Sequence, residues 1–176
     1  MRKPPKKLLI VDGYNVMNAW GRGAQTGALA DARDAFTAKL HDYAGFTGQE
    51  VVVVFDAWMQ ARAVRTEERA GLLTIVYTQK NETADHYIER LCDRLAREVE
   101  FGRLEIRVAT SDNVEQTVIL GRGATRLSAR ELIGEMARVR TEGGQIARAQ
   151  TPRKATILDR LPDEIRERLD EMRKGR

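Results

Sequence analysis

The sequence predicts an α/β fold: a three-layer α/β/α sandwich around a central, mainly parallel sheet. Two unbroken apolar runs, LLIV at 8–11 and VVVVF at 51–55, are typical of parallel strands that are covered on both faces. LLTIVYT at 72–78 and LEIRVAT at 104–110 are weaker runs of the same β-branched kind. The segments between these runs carry helical patterns that extend over about 12 residues or more. Such an alternation of strands and helices favours βαβ units and one parallel sheet.

Two helices are predicted from apolar residues that recur on one side. The first begins near Asp31 and extends past Tyr43, and the second extends from Thr83 to Val99. Cys92 lies on the apolar stripe of the second helix, so we expect a packed thiol rather than a nucleophile. Because this is the single cysteine, no internal disulfide can form, and we expect a reducing, cytoplasmic compartment.

Two segments are less regular. The Arg- and Glu-rich segment 56–71 joins two strands, and both a short helix and a loop at the sheet edge fit its sequence. Segment 121–136 opens with a glycine-rich turn, and the capping box of Ser128 with Glu131 then begins a helix that runs towards Ala149.

The end of the chain is predicted to be a separate helical extension. Thr151 and Pro152 break the preceding helical pattern, and the last stretch has apolar residues at helical spacing. We therefore expect a folded domain over 1–150 and a C-terminal helical tail over 151–176.

Composition and charge narrow the classes of function. The 176 residues are 42% hydrophobic and 32% charged, and no apolar run approaches the roughly 20 residues needed to cross a bilayer. Up to Leu120 there are 16 Lys and Arg against 17 Asp and Glu, whereas from Gly121 onwards there are 14 against 9. A basic C-terminal third suits a polyanionic partner, although a solvated helical face would give the same counts.

Carboxylates lie just beyond the predicted strands. The four residues are Asp12, Asp56, Asp85 and Asp112. Because parallel strands bring their carboxyl ends to one edge, where ligands bind, we expect these side chains to converge. Each has a structural explanation alone, since aspartate is favoured in turns, at helix caps and in first helical turns. Together they would repel one another, which is costly unless a cation compensates.

Oxygen ligands without Cys or His favour Mg²⁺ or Mn²⁺ over zinc. His41 and His86 do not form a zinc set, and His86 is expected at most to be a neighbour of the site. Further residues are candidates to support the edge or to contact a phosphate or base. They are Asn15 and Glu82 as supporting residues, and Tyr14, Lys80, Arg122 and Arg126 as candidate RNA contacts, the two arginines lying in the glycine-rich turn.

Four blocks in order, VDGYN, VVFDA, NETAD and ATSD, resemble the NYN domain and specifically its YacP-like bacterial branch, which belongs with the PIN-like nucleases. The similarity extends from about Leu8 to about Met136, and segment 56–71 and the tail after Pro152 match nothing in it. The resemblance implies a PIN-like fold and a Mg²⁺-dependent endoribonuclease that acts on mRNA in association with the ribosome.

By the same resemblance, Asp12, Asp85 and Asp112 are the catalytic, metal-binding carboxylates. Asn15 and Asp56 lie beside them, Asp56 as a further ligand or as a residue that orients ligands. The expected reaction is hydrolysis by an activated water, which leaves a 5′-phosphate and a 3′-hydroxyl.

Other functions remain open. A non-catalytic RNA- or ribosome-binding module with the same fold is the main alternative, and a toxin-type nuclease would share the chemistry. A phosphotransferase is disfavoured because Tyr14 stands where aspartyl phosphatases need a second aspartate. GRGATR also does not end in the Lys-Ser/Thr of a P-loop. The sequence does not indicate an oligomeric state.

Overall fold

A computed structural model of the protein describes residues 3–21, 29–56, 64–111 and 123–150, with side chains described as far as residue 144. The elements in chain order are β1 (Lys6–Asp12), α1 (Gly13–Ala19), α2 (Leu29–Thr47), β2 (Glu50–Phe55), β3 (Thr66–Ala70), β4 (Leu73–Tyr77), α3 (Ala84–Glu100), β5 (Leu104–Ala109), β6 (Thr125–Leu127) and α4 (Ala129–Gln150).

The six strands form one sheet in the order β3-β4-β2-β1-β5-β6. All neighbouring pairs are parallel except β3 and β4. In the register of the two central pairs, Val11 lies beside Val53 of β2 and Ala109 of β5. The carboxyl ends of β1, β2 and β5 therefore lie at the same edge, as the sequence predicts.

Helices cover both faces of the sheet, because alternate residues of β1 point to opposite sides. Leu9 and Val11 pack in a cluster with Phe36 of α2 and Leu132 of α4. The alternate side chains of the strand, Leu8 and Ile10, pack in a second cluster on the other face. This cluster includes Ile88 and Cys92 of α3. Each fully buried aliphatic side chain stabilises the folded state by about 1.5–3 kcal/mol relative to the same side chain exposed to water. The predicted three-layer α/β/α architecture is confirmed, and so is the packed thiol of Cys92.

The edge strand β3 lies in segment 56–71, where the sequence suggested a short helix or a loop. β3 pairs antiparallel with β4 through a turn at Gly71, whose φ of +58° suits glycine. Four of its five residues are exposed, so its sequence has neither the apolar run nor the alternation of apolar and polar residues that identifies a strand. Both alternatives were therefore wrong for 66–70, whereas residues 57–63 lie outside the described part of the chain.

Two further short elements replace predicted turns. Asn15 follows a predicted strand at a point where no helix was predicted, but it lies in the first helical turn of α1. Arg126 was placed in a glycine-rich turn, but it lies in the edge strand β6, beside Val108 of β5. Elements of three and seven residues are too short to produce a clear period.

The capping box at the start of α4 is confirmed. The Ser128 N–H donates to the Glu131 carboxylate at 2.7 Å, and the Glu131 N–H donates to the Ser128 hydroxyl at 3.2 Å. These hydrogen bonds with Ser128 lower the pKa of Glu131. The helix then continues to Gln150, as predicted.

The chain divides into two compact units. The first, Met1–Arg140, holds the sheet, and of the second, Thr141–Arg176, the structure describes the end of α4. The predicted helical tail over 151–176 lies outside the described residues and stays a prediction, as does the boundary at residue 150. None of the helices in the described ranges is long and apolar enough to cross a membrane.

Candidate active site

Asp12 is the last residue of β1 and caps α1. Its side chain is 7% exposed, and its Oδ1 accepts the Asn15 N–H at 3.2 Å. An aspartate in this position satisfies a backbone donor that the helix leaves without an intrahelical partner. The cap therefore holds the carboxylate at the carboxyl edge of a strand in the middle of the sheet.

Position 13 requires glycine because the Phe55 ring approaches its Cα closely. A Cβ built at Gly13 would lie 2.4 Å from Cε1 of Phe55, which ends β2. The Tyr14 ring also packs edge-on against Phe55, with ring centroids 5.0 Å apart. Half-buried Tyr14 thus packs on β2, and contact with a base stays a prediction for its exposed part. The Asp-Gly pair, which the sequence presented as a turn, allows α1 to begin directly on the sheet.

Asn15 joins two strand ends. Its Oδ1 accepts both the N–H of Ser111, at 2.6 Å, and the Ser111 hydroxyl, at 2.5 Å. Ser111 follows β5, so these bonds connect the start of α1 to the carboxyl end of a neighbouring strand. Asp112, the third predicted catalytic carboxylate, is the next residue in the sequence and lies outside the described residues.

Asp56 connects β2 to α3. Its Oδ2 accepts the N–H of Ala84, the first residue of α3, at 3.3 Å. Thr83 caps the same helix by accepting the His86 N–H at 3.2 Å. Asp85 lies next to Ala84, exposed in the first turn, where the helix dipole favours a negative charge. Asp56 thus fixes the helix start that presents Asp85.

Three of the four predicted carboxylates, Asp12, Asp56 and Asp85, therefore lie where the carboxyl ends of strands and the start of α3 meet. Within the described ranges, no three His, Cys, Asp or Glu side chains are grouped so that they could hold a metal by themselves. The predicted set of Asp12, Asp85 and Asp112 includes one residue outside those ranges. An ionised carboxylate has about four acceptor sites, so a backbone hydrogen bond and a metal contact are compatible.

Glu82 was predicted to support the acidic edge, and the structure shows what it contacts. Its side chain is 5% exposed and forms ion pairs with both Arg65 and Arg90. It also accepts the Gln79 N–H at 3.3 Å. Its oxygens therefore contact two arginines beside the start of α3, and its support of the acidic edge stays a prediction.

The candidate RNA contacts are only partly described. Lys80 and Arg126 are exposed, and Arg122 lies outside the described residues. Two residues that the sequence did not indicate are Arg65 and Ser111. Arg65 lies in a segment with no assigned element, and Ser111 was quoted only as part of ATSD, so no local signal distinguished either of them.

A shallow cleft with a volume of about 330 Å³ lies elsewhere, lined by residues that include Lys7, Gln49 and Arg107. Lys7 is five residues before Asp12 on β1, which corresponds to about 16 Å along a strand. The cleft is thus towards the amino ends of the strands, where parallel sheets do not place their ligands.

Comparison with known proteins agrees with the fold and extends the sequence similarity. The family described as the YacP-like NYN domain, which has a nuclease-type fold, matches residues 9–174. This match is longer than the similarity recognised from motifs, and it includes segment 56–71 and most of the tail. YacP of Bacillus subtilis (strain 168) is 34% identical over 170 residues, which cover 96% of this chain and 97% of that protein.

Solved structures give the same result. The crystal structure of Rae1 (YacP) from Bacillus subtilis is similar with a TM-score of 0.71 and 34% identity, covering 96% of this chain and 95% of that one. A mutant of the same protein matches with a TM-score of 0.67 and 32% identity, covering 94% of this chain and 99% of that one. The family match and these identities over nearly the whole length show that the chain belongs to the YacP-like NYN domain family.

Proposed function

We propose that the protein is a metal-dependent endoribonuclease that hydrolyses RNA phosphodiester bonds at the carboxyl edge of its sheet. One observation carries the proposal: Asp12 caps α1 at the end of β1, while Asp56 binds the start of α3 beside Asp85. In a chain of this family, carboxylates held at that edge are suited to a hard divalent cation.

Asp12, Asp85 and Asp112 would hold Mg²⁺ or Mn²⁺, with Asp56 as a further ligand or as a residue that orients ligands. The donor set fits such an ion, because the carboxylates supply hard oxygen ligands and Cys92, the single cysteine, is buried in the core. When bound, the ion supplies an activated water and offsets the charge that develops at the scissile phosphate.

The chain's own side chains have two further tasks. Asn15 holds the end of β5 against the start of α1 through both of its bonds from Ser111, which keeps the carboxyl edge in one arrangement. The basic residues Lys80, Arg122 and Arg126 would bind the RNA strand, in keeping with the excess of positive charge after Gly121. mRNA on the ribosome is the substrate that we propose for this activity.

The decisive experiment is cleavage of end-labelled single-stranded RNA by the full-length protein with Mg²⁺, with Mn²⁺ and with EDTA. Asp12→Asn should lower the cleavage rate at least about 100-fold, because the ligand charge is lost. Asparagine caps a helix as well as aspartate, so the melting temperature should change little. A calorimetric titration with Mn²⁺ should show weaker binding, independently of activity.

Asp42→Asn is the matched control. It removes the same charge from α2, where the Asp42 side chain is 85% exposed, and it should leave cleavage and Mn²⁺ binding unchanged. Full activity of Asp12→Asn would refute the proposed site. RNA binding that needs no metal, with no cleavage by the wild type, would favour the non-catalytic module.

A further inference from the structure

Two arginines share one buried carboxylate beside the candidate active site. The Arg65 Nε donates to the Glu82 Oε2 at 3.0 Å, and the Arg65 Nη2 donates to Oε1. The Arg90 Nη2 donates to the same Oε1. The Arg65 and Arg90 side chains are 32% and 58% exposed, whereas that of Glu82 is 5% exposed. We call these two residues the arginine pair.

The arginine pair has further neighbours on β3 and α3. Arg65 also stacks over Tyr87, whose hydroxyl donates to Glu67 at 3.3 Å. Burial and Glu67 raise the pKa of Tyr87, while Arg94 and Arg65 oppose that rise, so Arg94 belongs to the same group. The arginine pair is thus part of a larger group of charged and aromatic side chains that includes Tyr87 and Glu67.

One guanidinium would neutralise Glu82, so the second is not explained by that carboxylate alone. Each guanidinium has five N–H donors in a planar fork that matches phosphate oxygens. The stacking of Arg65 on Tyr87, with 5.0 Å from its Cζ to the ring centroid, and its two bonds to Glu82 fix the orientation of that plane. A preorganised guanidinium loses less side-chain entropy when it binds an anion.

The arginine pair lies close to the proposed site of cleavage. Glu82 is three residues before Asp85, and Ala84 between them donates to Asp56. Arg90 is five residues after Asp85 on α3, an axial rise of about 7.5 Å.

We propose that Arg65 and Arg90 bind a backbone phosphate of single-stranded RNA near the scissile bond, and that Glu82 holds them in place. The proposal rests on the ribonuclease function above and adds a binding surface formed by Arg65, just before β3, and by Arg90 on α3. This surface is distinct from the basic C-terminal third of the chain that the sequence indicated.

The test is the affinity of the full-length protein for a fluorescent single-stranded RNA, measured in EDTA over a series of salt concentrations. Arg90→Gln should weaken binding roughly three- to tenfold and reduce the salt slope by about 0.7, the value for one phosphate contact. Arg97→Gln, at the exposed C-terminal end of α3, removes the same charge and should change neither quantity.

Glu82→Gln separates binding from a structural role. It removes the charge that holds the two guanidinium groups in place, so RNA binding should weaken about two- to threefold, while the salt slope stays unchanged because both arginines keep their charge. A pair with a purely structural role predicts a lower melting temperature with unchanged RNA binding. Arg65→Lys, which keeps the charge but loses the fork, should weaken binding without changing the salt slope.

The proposal is overturned if Arg90→Gln matches Arg97→Gln, or if Glu82→Gln leaves RNA binding unchanged. Wild-type protein that binds RNA without cleaving it would refute the proposed nuclease activity and leave this comparison of variants valid. Wild-type protein that binds no RNA would overturn both.

Discussion

Two clusters of arginine and glutamate in this protein differ in how their charges are balanced. Arg107 on β5 meets Glu135 on α4 with two hydrogen bonds, of 2.9 and 3.2 Å. The Tyr43 hydroxyl donates to the same carboxylate at 2.5 Å and accepts from Arg107 at 3.0 Å. In this cluster the guanidinium of Arg107 forms an ion pair with the Glu135 carboxylate. The arginine pair has two cations on Glu82.

The two clusters also differ in exposure and in position. The Arg107 cluster joins α2, β5 and α4 on one face of the sheet, and its members satisfy one another. The arginine pair lies next to the start of α3, and Arg90 extends into solvent. In the proposal above, two guanidinium groups on one carboxylate beside the start of α3 form a binding surface, whereas the pair of Arg107 and Glu135 joins structural elements.

The largest effect is expected from breaking the link between the strand ends. Asn15→Ala removes both bonds to Ser111 and should lower RNA cleavage about 10- to 100-fold, as for other residues that orient metal ligands. Ser111→Ala removes only the hydroxyl bond and should lower cleavage about threefold. Single-turnover cleavage rates measure both. Equal rates for Asn15→Ala and the wild type would show that the link has no part in the reaction.

The two clusters should differ in how much each contributes to the free energy of unfolding. Arg107→Ala leaves the Glu135 carboxylate and the Tyr43 hydroxyl without their partner, and it should lower the free energy of unfolding by about 2–3 kcal/mol. Cleavage at 25 °C should stay within about twofold of the wild type, because the variant remains folded. Arg90→Ala should cost less than about 1 kcal/mol, since that side chain is 58% exposed. Urea denaturation gives both values, and the reverse order would contradict the comparison.

The smallest effect concerns pH. Burial alone would raise the pKa of Glu135, but the hydrogen bonds from Arg107 and Tyr43 outweigh it and lower that pKa. The Glu135 contribution to stability is therefore complete above its ordinary value of 4.5 and is lost as the pH falls through the folded-state pKa. Burial and the bond to Glu135 raise the pKa of Tyr43, so its contribution is lost as the pH rises above 10.0.

Glu135→Gln checks this expectation. Unfolding free energies of the variant and the wild type, measured in urea between pH 3 and 7, should converge as the pH falls. A constant difference between them over this range would show that Glu135 does not titrate differently in the folded state.

The sequence predicted those elements in which buried apolar residues recur in a regular pattern. The apolar runs of β1 and β2 and the one-sided stripe of α3 identify a covered parallel sheet, and its strand ends then locate Asp12, Asp56 and Asp85. β3 was not recognised, because an exposed edge strand of polar residues carries no such pattern.

Contacts between distant residues could not be predicted. Asn15 and Ser111 are 96 positions apart, and Arg65 and Glu82 are 17 apart. Short polar residues at turns have many local partners, so only the folded sheet determines which contact forms. For Glu82 the sequence correctly indicated a location but not that its partners are cations.

The contact between Gly13 and Phe55 makes two distant positions dependent on each other. A methyl group at position 13 would overlap the ring that ends β2. Alanine at position 13 therefore requires the Phe55 ring to shift or a smaller side chain at position 55, and either change would alter the surface on which Tyr14 packs. The effects of substitutions at the glycine of the first motif and at the aromatic residue of the second are consequently expected to be coupled.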